Sequence, residues 1–324
     1  MFAARGIAVA SSVFFLVYMT LSLTVCCTWR RVSVSRHFRN LSAKHRADLL
    51  FALRMFPLTA ALLVTLAFTV PSFVLLEPHA IEEPIGWLPL ALGACGLCVV
   101  VFGLGSAVAA LMRASRLIAL WGSQANAVET QVSVPVLRID RIAPALTAAG
   151  ILRPRVLLSR EAEFVLRENE LHTALRHEVA HIRRRDNLKK LLLRFVAFPA
   201  MKSLEAAWLE STEMAADDAA VGSLGDALDL AAALIKLSKI IASPENSSEE
   251  LMTAFMHGSA SLMNVRVERL IAWRESRPAG VRQYSQWHAA GLALAMAVIM
   301  SAALAVTYSQ LLAQVHTATE WLVR

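Results

Sequence analysis

The 324-residue chain is short of cysteine and of charge, and it has no phosphate-binding loop. Neither G-x-G-x-x-G nor G-x-x-x-x-G-K occurs, and no Ser/His/Asp constellation stands out, so nucleotide-binding and serine-hydrolase readings lack their signatures. The four cysteines, Cys26, Cys27, Cys95 and Cys98, all lie in apolar stretches. Cys95-Gly96-Leu97-Cys98 has the form of a redox or zinc pair, but a thiolate in hydrocarbon is costly and no second pair exists, so it reads as apolar packing. Cys26 and Cys27 lie beside a membrane boundary, where an acyl chain could attach. A net charge of +7 might suggest nucleic acid, yet no long basic tract with interleaved aromatics exists. The basic residues flank apolar segments instead, as membrane topology requires.

What the chain has in excess is apolar surface. Hydrophobic residues make up 56% of it and mean hydropathy is +0.52, outside the range of ordinary soluble proteins. Residues 7–29 form a first run long enough to span a bilayer, with one arginine before it and no small-residue cleavage site, so it reads as a retained helix rather than a signal peptide. Residues 30–48 carry Arg30, Arg31, Arg36, Arg39, Lys44 and Arg46 against the single acid Asp48, which places this loop in the cytoplasm and the N-terminus outside. A second run, 49–76, contains Arg54, expected to snorkel from its cytoplasmic end. The acidic loop after it suits the external side. A third run, 85–112, is rich in glycine and should pack closely on another helix. A fourth covers 291–312. The expected divisions are 1–112 with three spans, a polar region 113–285, and 286–324 with the fourth span and a short external tail.

Within the polar region stands His177-Glu178-Val179-Ala180-His181. Residues four apart share a helical face, so the two imidazoles can address one ion. Glu178 can reach a water at the open position of that ion, the H-E-x-x-H arrangement of zinc peptidases. A helix from Glu168 to about Phe198, ended by Pro199, is expected to carry the motif. Such a zinc needs a third protein ligand. A second expected helix, Trp208 to Ala220, offers Glu213 and Asp217 on one face: Glu213 can complete a His-His-Glu set, and Asp217 can accept the other ring N–H of a ligating histidine. Glu205, Glu210 and Asp218 compete for these roles. Small Ala215, Ala216, Ala219 and Ala220 suit a close approach to the first helix. Residues 131–139 and 155–159 alternate like strands, with Gly150 as a turn between them. Residues 226–242 read as another helix and 243–250 as an exposed loop.

His177-Glu178-x-x-His181-x-x-Arg184-Arg185-Asp186-Asn187, followed by Glu213-x-x-x-Asp217, resembles the BlaR/MecR-type regulatory membrane metallopeptidases, and more distantly the membrane zinc peptidases of the HtpX and CAAX-processing type. Gly150 to Ser159 is similar to the segment these families place before the zinc helix, and Arg266-Val267-x-Arg269-Leu270 to one that follows the site. The resemblance selects Glu213 over its competitors. It implies a mainly α membrane protein, with four transmembrane helices and a cytoplasmic α+β zincin-like (gluzincin) domain whose small sheet could pair with an extended peptide. One Zn2+ would be held by His177, His181 and Glu213. Glu178 would be the general base, and Asp217 would orient a ligand.

The implied substrate is a cytoplasmic transcriptional repressor in a signalling pathway, with self-cleavage as an activation step and a separate sensor protein or a homo-oligomer as further partners. No Ser-x-x-Lys follows the fourth run, so the external penicillin-binding domain of the antibiotic-sensing members is not expected here, and neither is a β-lactam receptor role. The implied location is the inner membrane of a bacterium, with the active site facing the cytoplasm and no direct nucleic-acid contact. Quality-control proteolysis of the HtpX type and a non-catalytic zinc scaffold are the alternatives. His172 is read as a surface residue. His257 is weighed as a transition-state hydrogen-bond donor that no spacing places.

Overall fold

The computed structural model describes residues 2–77, 86–122, 125–128, 130, 132–139, 145–196, 201–241, 260–273 and 307–320. This part of the chain is mostly helical. It has three helices long and apolar enough to cross a membrane, and one small mixed sheet. Two compact units form: residues 1–27, 55–102 and 276–324 in one, residues 28–54 and 103–275 in the other. The boundaries after residues 27, 54 and 102 fall inside helices, and the expected boundary at 112 lies within a helix as well.

The apolar runs set the first unit. Helix α1 (Phe2–Val32) exceeds its expected run at both ends, helix α3 (Ala43–Val64) begins before its run, and helix α5 (Trp87–Gly122) continues past the end of its own. A short α2 (Arg36–Arg39) interrupts the basic loop. Beyond α3 the backbone passes through a π-helical turn, Thr65–Thr69, into α4 (Val70–Leu76), where Pro71 occupies the first turn and its missing N–H costs little. The glycines of α5 act as their spacing suggests. A methyl on Gly96 would strike the carbonyl of Ser11, and one on Gly93 would lie 2.8 Å from the Ser11 hydroxyl. Close approach of α1 and α5 thus depends on hydrogen at these positions. Cys95 and Cys98 are exposed on α5, not packed in a core. Of the fourth run, residues 291–306 lie outside the described residues, while 307–320 are helical.

In the second unit, a four-stranded sheet has the order β1-β2-β4-β3, from β1 (Asn126–Val128), β2 (Val136–Ile139), β3 (Leu146–Ala149) and β4 (Arg155–Ser159). Strand β2 is parallel to β4, and the other two pairs are antiparallel. The alternation over 131–139 yields a strand only from Val136, and β1 and the Ala-rich β3 carried no strand signal. Gly150 does close β3, at φ +89°, and a Cβ there would meet the Arg153 carbonyl at 2.7 Å. One face of the sheet packs on α6 (Arg160–Val165), α7 (Glu168–Arg183) and α10 (Leu224–Ile241) through Val156, Leu158, Ala162, Ala174, Leu175, Ala233 and neighbours. The expected single helix from 168 to 198 is in fact two, α7 and α8 (Asp186–Phe195). They are broken at Arg184 and Arg185 without glycine or proline, and Arg185 takes the left-handed conformation at φ 55°. Helix α9 (Lys202–Ala220) starts earlier than expected, and α11 (Ala260–Ile271) packs its Leu270 against Leu230 and Leu234 of α10.

Arg54 does not snorkel. It is 2% exposed and donates to the carbonyl of Val196, the residue that ends α8, and to the Met201 sulfur at 3.2 Å. A helix C-terminus offers unpaired carbonyls, and a guanidinium satisfies one of them better than bulk water reached through hydrocarbon.

Candidate metal centre

Helix α7 presents His177 and His181 on one buried face, toward α9. Their Nε2 atoms are 3.1 Å apart. Glu213 of α9 straddles them, with Oε2 3.6 Å from His177 Nε2 and Oε1 3.6 Å from His181 Nε2. Donors about 2.0–2.1 Å from a tetrahedral ion stand roughly 3.4 Å apart, so this triangle has the size that one zinc needs. Of the small residues on α9, Ala215 packs with Ala43, Ala220 with Ala227 and Leu230, Ala216 is buried, and Ala219 faces outward. The competing acids point elsewhere: Glu210 and Asp218 are exposed, and Asp218 pairs with Arg269 at 2.5 Å. His172 is exposed, as expected, and His257 lies outside the described residues.

Each of the two histidines has its own buried carboxylate. Asp217 Oδ1 is 3.0 Å from His177 Nδ1, although the ring is turned off the line of a well-formed hydrogen bond. The closer match is one that sequence spacing missed: Asp186 Oδ2 lies 2.8 Å from His181 Nδ1, and Asp186 is wholly buried. Five residues separate the two, which on an unbroken helix would put Asp186 off the histidine face. The left-handed step at Arg185 brings it back. A carboxylate behind a ligating imidazole fixes its tautomer and strengthens it as a donor.

Arg266 of α11 was also unforeseen in this place. Its Nε and Nη2 grip Asp217 at 2.8 and 2.7 Å, and its Nη1 donates to Glu213 Oε2 at 3.0 Å. It lies 49 residues beyond Asp217, so no periodicity could reveal the pair. Around the centre the carboxylates Glu178, Asp186, Glu213 and Asp217 face two guanidiniums, Arg184 and Arg266, an excess that a divalent cation would balance.

Glu178, next to the first histidine, is half-buried and turns toward the sheet. Its Oε2 accepts the Ala148 N–H at 2.6 Å. Ala148 pairs with Val156, whose own N–H goes to Pro135 on the β2 side. Ala148 is therefore in a non-hydrogen-bonded pair and directs both polar groups to the open edge of β3. Asn187 takes the other one, donating to the Ala148 carbonyl at 3.0 Å and to Gly150 at 3.2 Å. The turn after α7 thus fixes both the metal helix and the sheet edge beside it.

Electrostatics follow from this packing. Burial opposes a charge on His177, but the Asp217 and Glu213 carboxylates outweigh it and push the imidazole up to about 9. Burial likewise opposes ionisation of Glu213, yet His181, His177 and Arg266 hold its carboxyl well below the usual range. Without metal, His177 therefore carries a proton at neutral pH that a metal must displace. Its protonated form stabilises the metal-free fold fully below about pH 6.5, and this stability is lost as pH rises through about 9. Zinc affinity is expected to rise about tenfold per pH unit up to pH 9, with proton release near neutrality. Calorimetry in buffers of different ionisation enthalpy reads that release directly.

The chain matches no model of a known protein family, and no characterised protein matches it in sequence.

Proposed function

We propose that this protein is a membrane zinc endopeptidase that cuts cytoplasmic proteins, in the manner of the regulatory metallopeptidases its motifs resemble. The observation that carries the reading is the donor set. Three protein donors, His177, His181 and Glu213, converge, and Glu178 stands beside them on the same helix. Structural zinc sites close with four protein ligands, whereas catalytic ones keep a position open and a base near it. Among the described residues no fourth histidine, cysteine, aspartate or glutamate joins this group, which favours a peptidase over a scaffold.

Zinc held there would supply Lewis acidity to the scissile carbonyl. The protein's own residues do the rest. Glu178 takes a proton from the attacking water and delivers it to the leaving amine. Asp186 and Asp217 keep His181 and His177 oriented, and Arg266 keeps Asp217 and Glu213 in place. The edge of β3, at groups other than the Ala148 N–H and carbonyl taken by Glu178 and Asn187, would supply a template for an extended peptide. Four spans, with the fourth near 291–312, a zincin-like domain facing the cytoplasm, and a repressor as substrate belong to this proposal. So does self-cleavage.

The test uses full-length protein in native membranes, with candidate repressors co-expressed. Chelation is expected to stop fragment formation, and added zinc to restore it. One protected repressor marks a regulatory enzyme, and a broad set of membrane fragments marks quality control. Fragments that persist unchanged under complete zinc removal would exclude the metallopeptidase.

A further inference from the structure

Asp186 uses one oxygen on His181. The other, Oδ1, faces the Arg184 Nε at 3.6 Å without a hydrogen bond. Arg184 is itself largely covered, at 14% exposure, and its Nη2 reaches toward Asp48 Oδ1 at 3.8 Å. One guanidinium therefore sits between two carboxylates, one behind a metal-ligand histidine and the other on α3. Asp48 also accepts Lys189 Nζ at 3.2 Å and is the single acid in an otherwise basic stretch, residues 30–48. Asp48 is about half exposed, at 49%, so its pull on Arg184 is partly screened, whereas the Arg184–Asp186 contact is shielded on both sides.

The same end of α3 is seated on the metal helices at further points. Ala43 packs with Met214 and Ala215, the residues just after the ligand Glu213. Arg46 reaches the Met214 sulfur at 3.5 Å. The Phe51 ring stands 6.3 Å from that of Trp208 and lies under the Lys189 ammonium at 5.5 Å. Arg54 ties down the end of α8. Helix α3 is one of the three candidate membrane spans.

We propose that Asp48 and Arg184 are positioning residues for the metal centre, so that the placement of α3 sets the orientation of His181 through Arg184 and Asp186. The inference rests on the metal-centre reading above and adds to it a route by which a membrane helix tunes the site. With Asp48 in place, Arg184 is shared and Asp186 keeps its full hydrogen bond to His181. Without that charge, Arg184 shifts wholly onto the other oxygen of Asp186, draws negative charge away from the carboxylate, and so weakens it as the acceptor that orients His181.

Zinc affinity of the detergent-solubilised full-length protein, measured by competition with a chelating dye, tests this together with the d–d spectrum of the cobalt-loaded form. Loss of a carboxylate directly behind a ligand costs about 10–100-fold in metal affinity. Asp48 acts one residue further out, so Asp48→Asn is expected to weaken zinc about three- to tenfold and to shift the cobalt spectrum. In an Arg184→Gln background the same substitution should have no effect, because the link is already cut. Lys189→Met removes the other partner of Asp48 without touching Asp186 and is expected to leave affinity within about twofold. Unchanged affinity and spectrum in Asp48→Asn, or an undiminished effect in the Arg184→Gln background, would overturn the coupling while leaving the metal centre standing. A wild-type chain that binds no zinc would sink the metal-centre reading itself, and the coupling with it.

Discussion

Glu178→Gln is expected to lose about 10²- to 10⁴-fold in cleavage rate while binding zinc as tightly as the wild type. Glutamine is the informative replacement because of where Glu178 is held. Its Oε2 accepts the Ala148 N–H at 2.6 Å, and a glutamine carbonyl can accept the same bond. Sheet edge and helix α7 then stay in register, and only the ability to take a proton is removed. Glu178→Ala should abolish cleavage too, but it leaves the Ala148 N–H without its partner and so mixes a structural cost into the result. Metal content by elemental analysis, next to fragment formation in membranes, separates the effects. Full cleavage by the glutamine variant would remove Glu178 from the mechanism, whatever its neighbours bind.

Asp217→Ala is expected to be the most damaging single change to the fold around the centre. Asp217 is 1% exposed and carries two loads, the His177 ring and the Nε and Nη2 groups of Arg266. Removing it leaves a buried guanidinium with only Glu213, and breaking a buried pair from one side costs about 3–5 kcal/mol. Zinc affinity should fall about 10–100-fold as well, since His177 loses the carboxylate behind it. A pH series gives an independent check. Burial opposes ionisation of Asp217, but Arg266 and His177 outweigh it and hold its carboxyl near 2. The folded value is therefore below the unfolded one, near 3.9. Its contribution is fully present above about pH 4 and is lost as pH falls through about 2. Denaturation of the wild type should steepen across that window, and the alanine variant should lack the added loss. Equal stability of the two proteins at pH 7 would show that Arg266 finds another partner.

The helices of the site were largely legible because helical periodicity is a local property. His177 and His181, and likewise Glu213 and Asp217, could be assigned to shared faces from spacing alone. Side chains four apart on any α-helix meet in this way, whatever the helix packs against. The apolar runs were equally plain, because burial in hydrocarbon demands about 20 consecutive apolar residues with no help from distant parts of the chain. Strand β3 stayed hidden because in Leu-Thr-Ala-Ala only Thr147 favours a strand, against two alanines. It is a strand only because β4 pairs with it.

By itself, then, the sequence determined the apolar helices and the two histidines with their adjacent glutamate, and a family resemblance picked the Glu213–Asp217 pair from competing acids. Tertiary structure decided which groups surround them. Asp186 reaches His181 only through a left-handed residue at Arg185 that no glycine announces, and a strained backbone of this kind persists only where surrounding contacts hold it. Arg266 reaches Asp217, and Arg54 the end of α8, across stretches of chain that carry no periodic relation. A buried charge takes whichever partner the packing brings within reach, and only the fold sets which one that is.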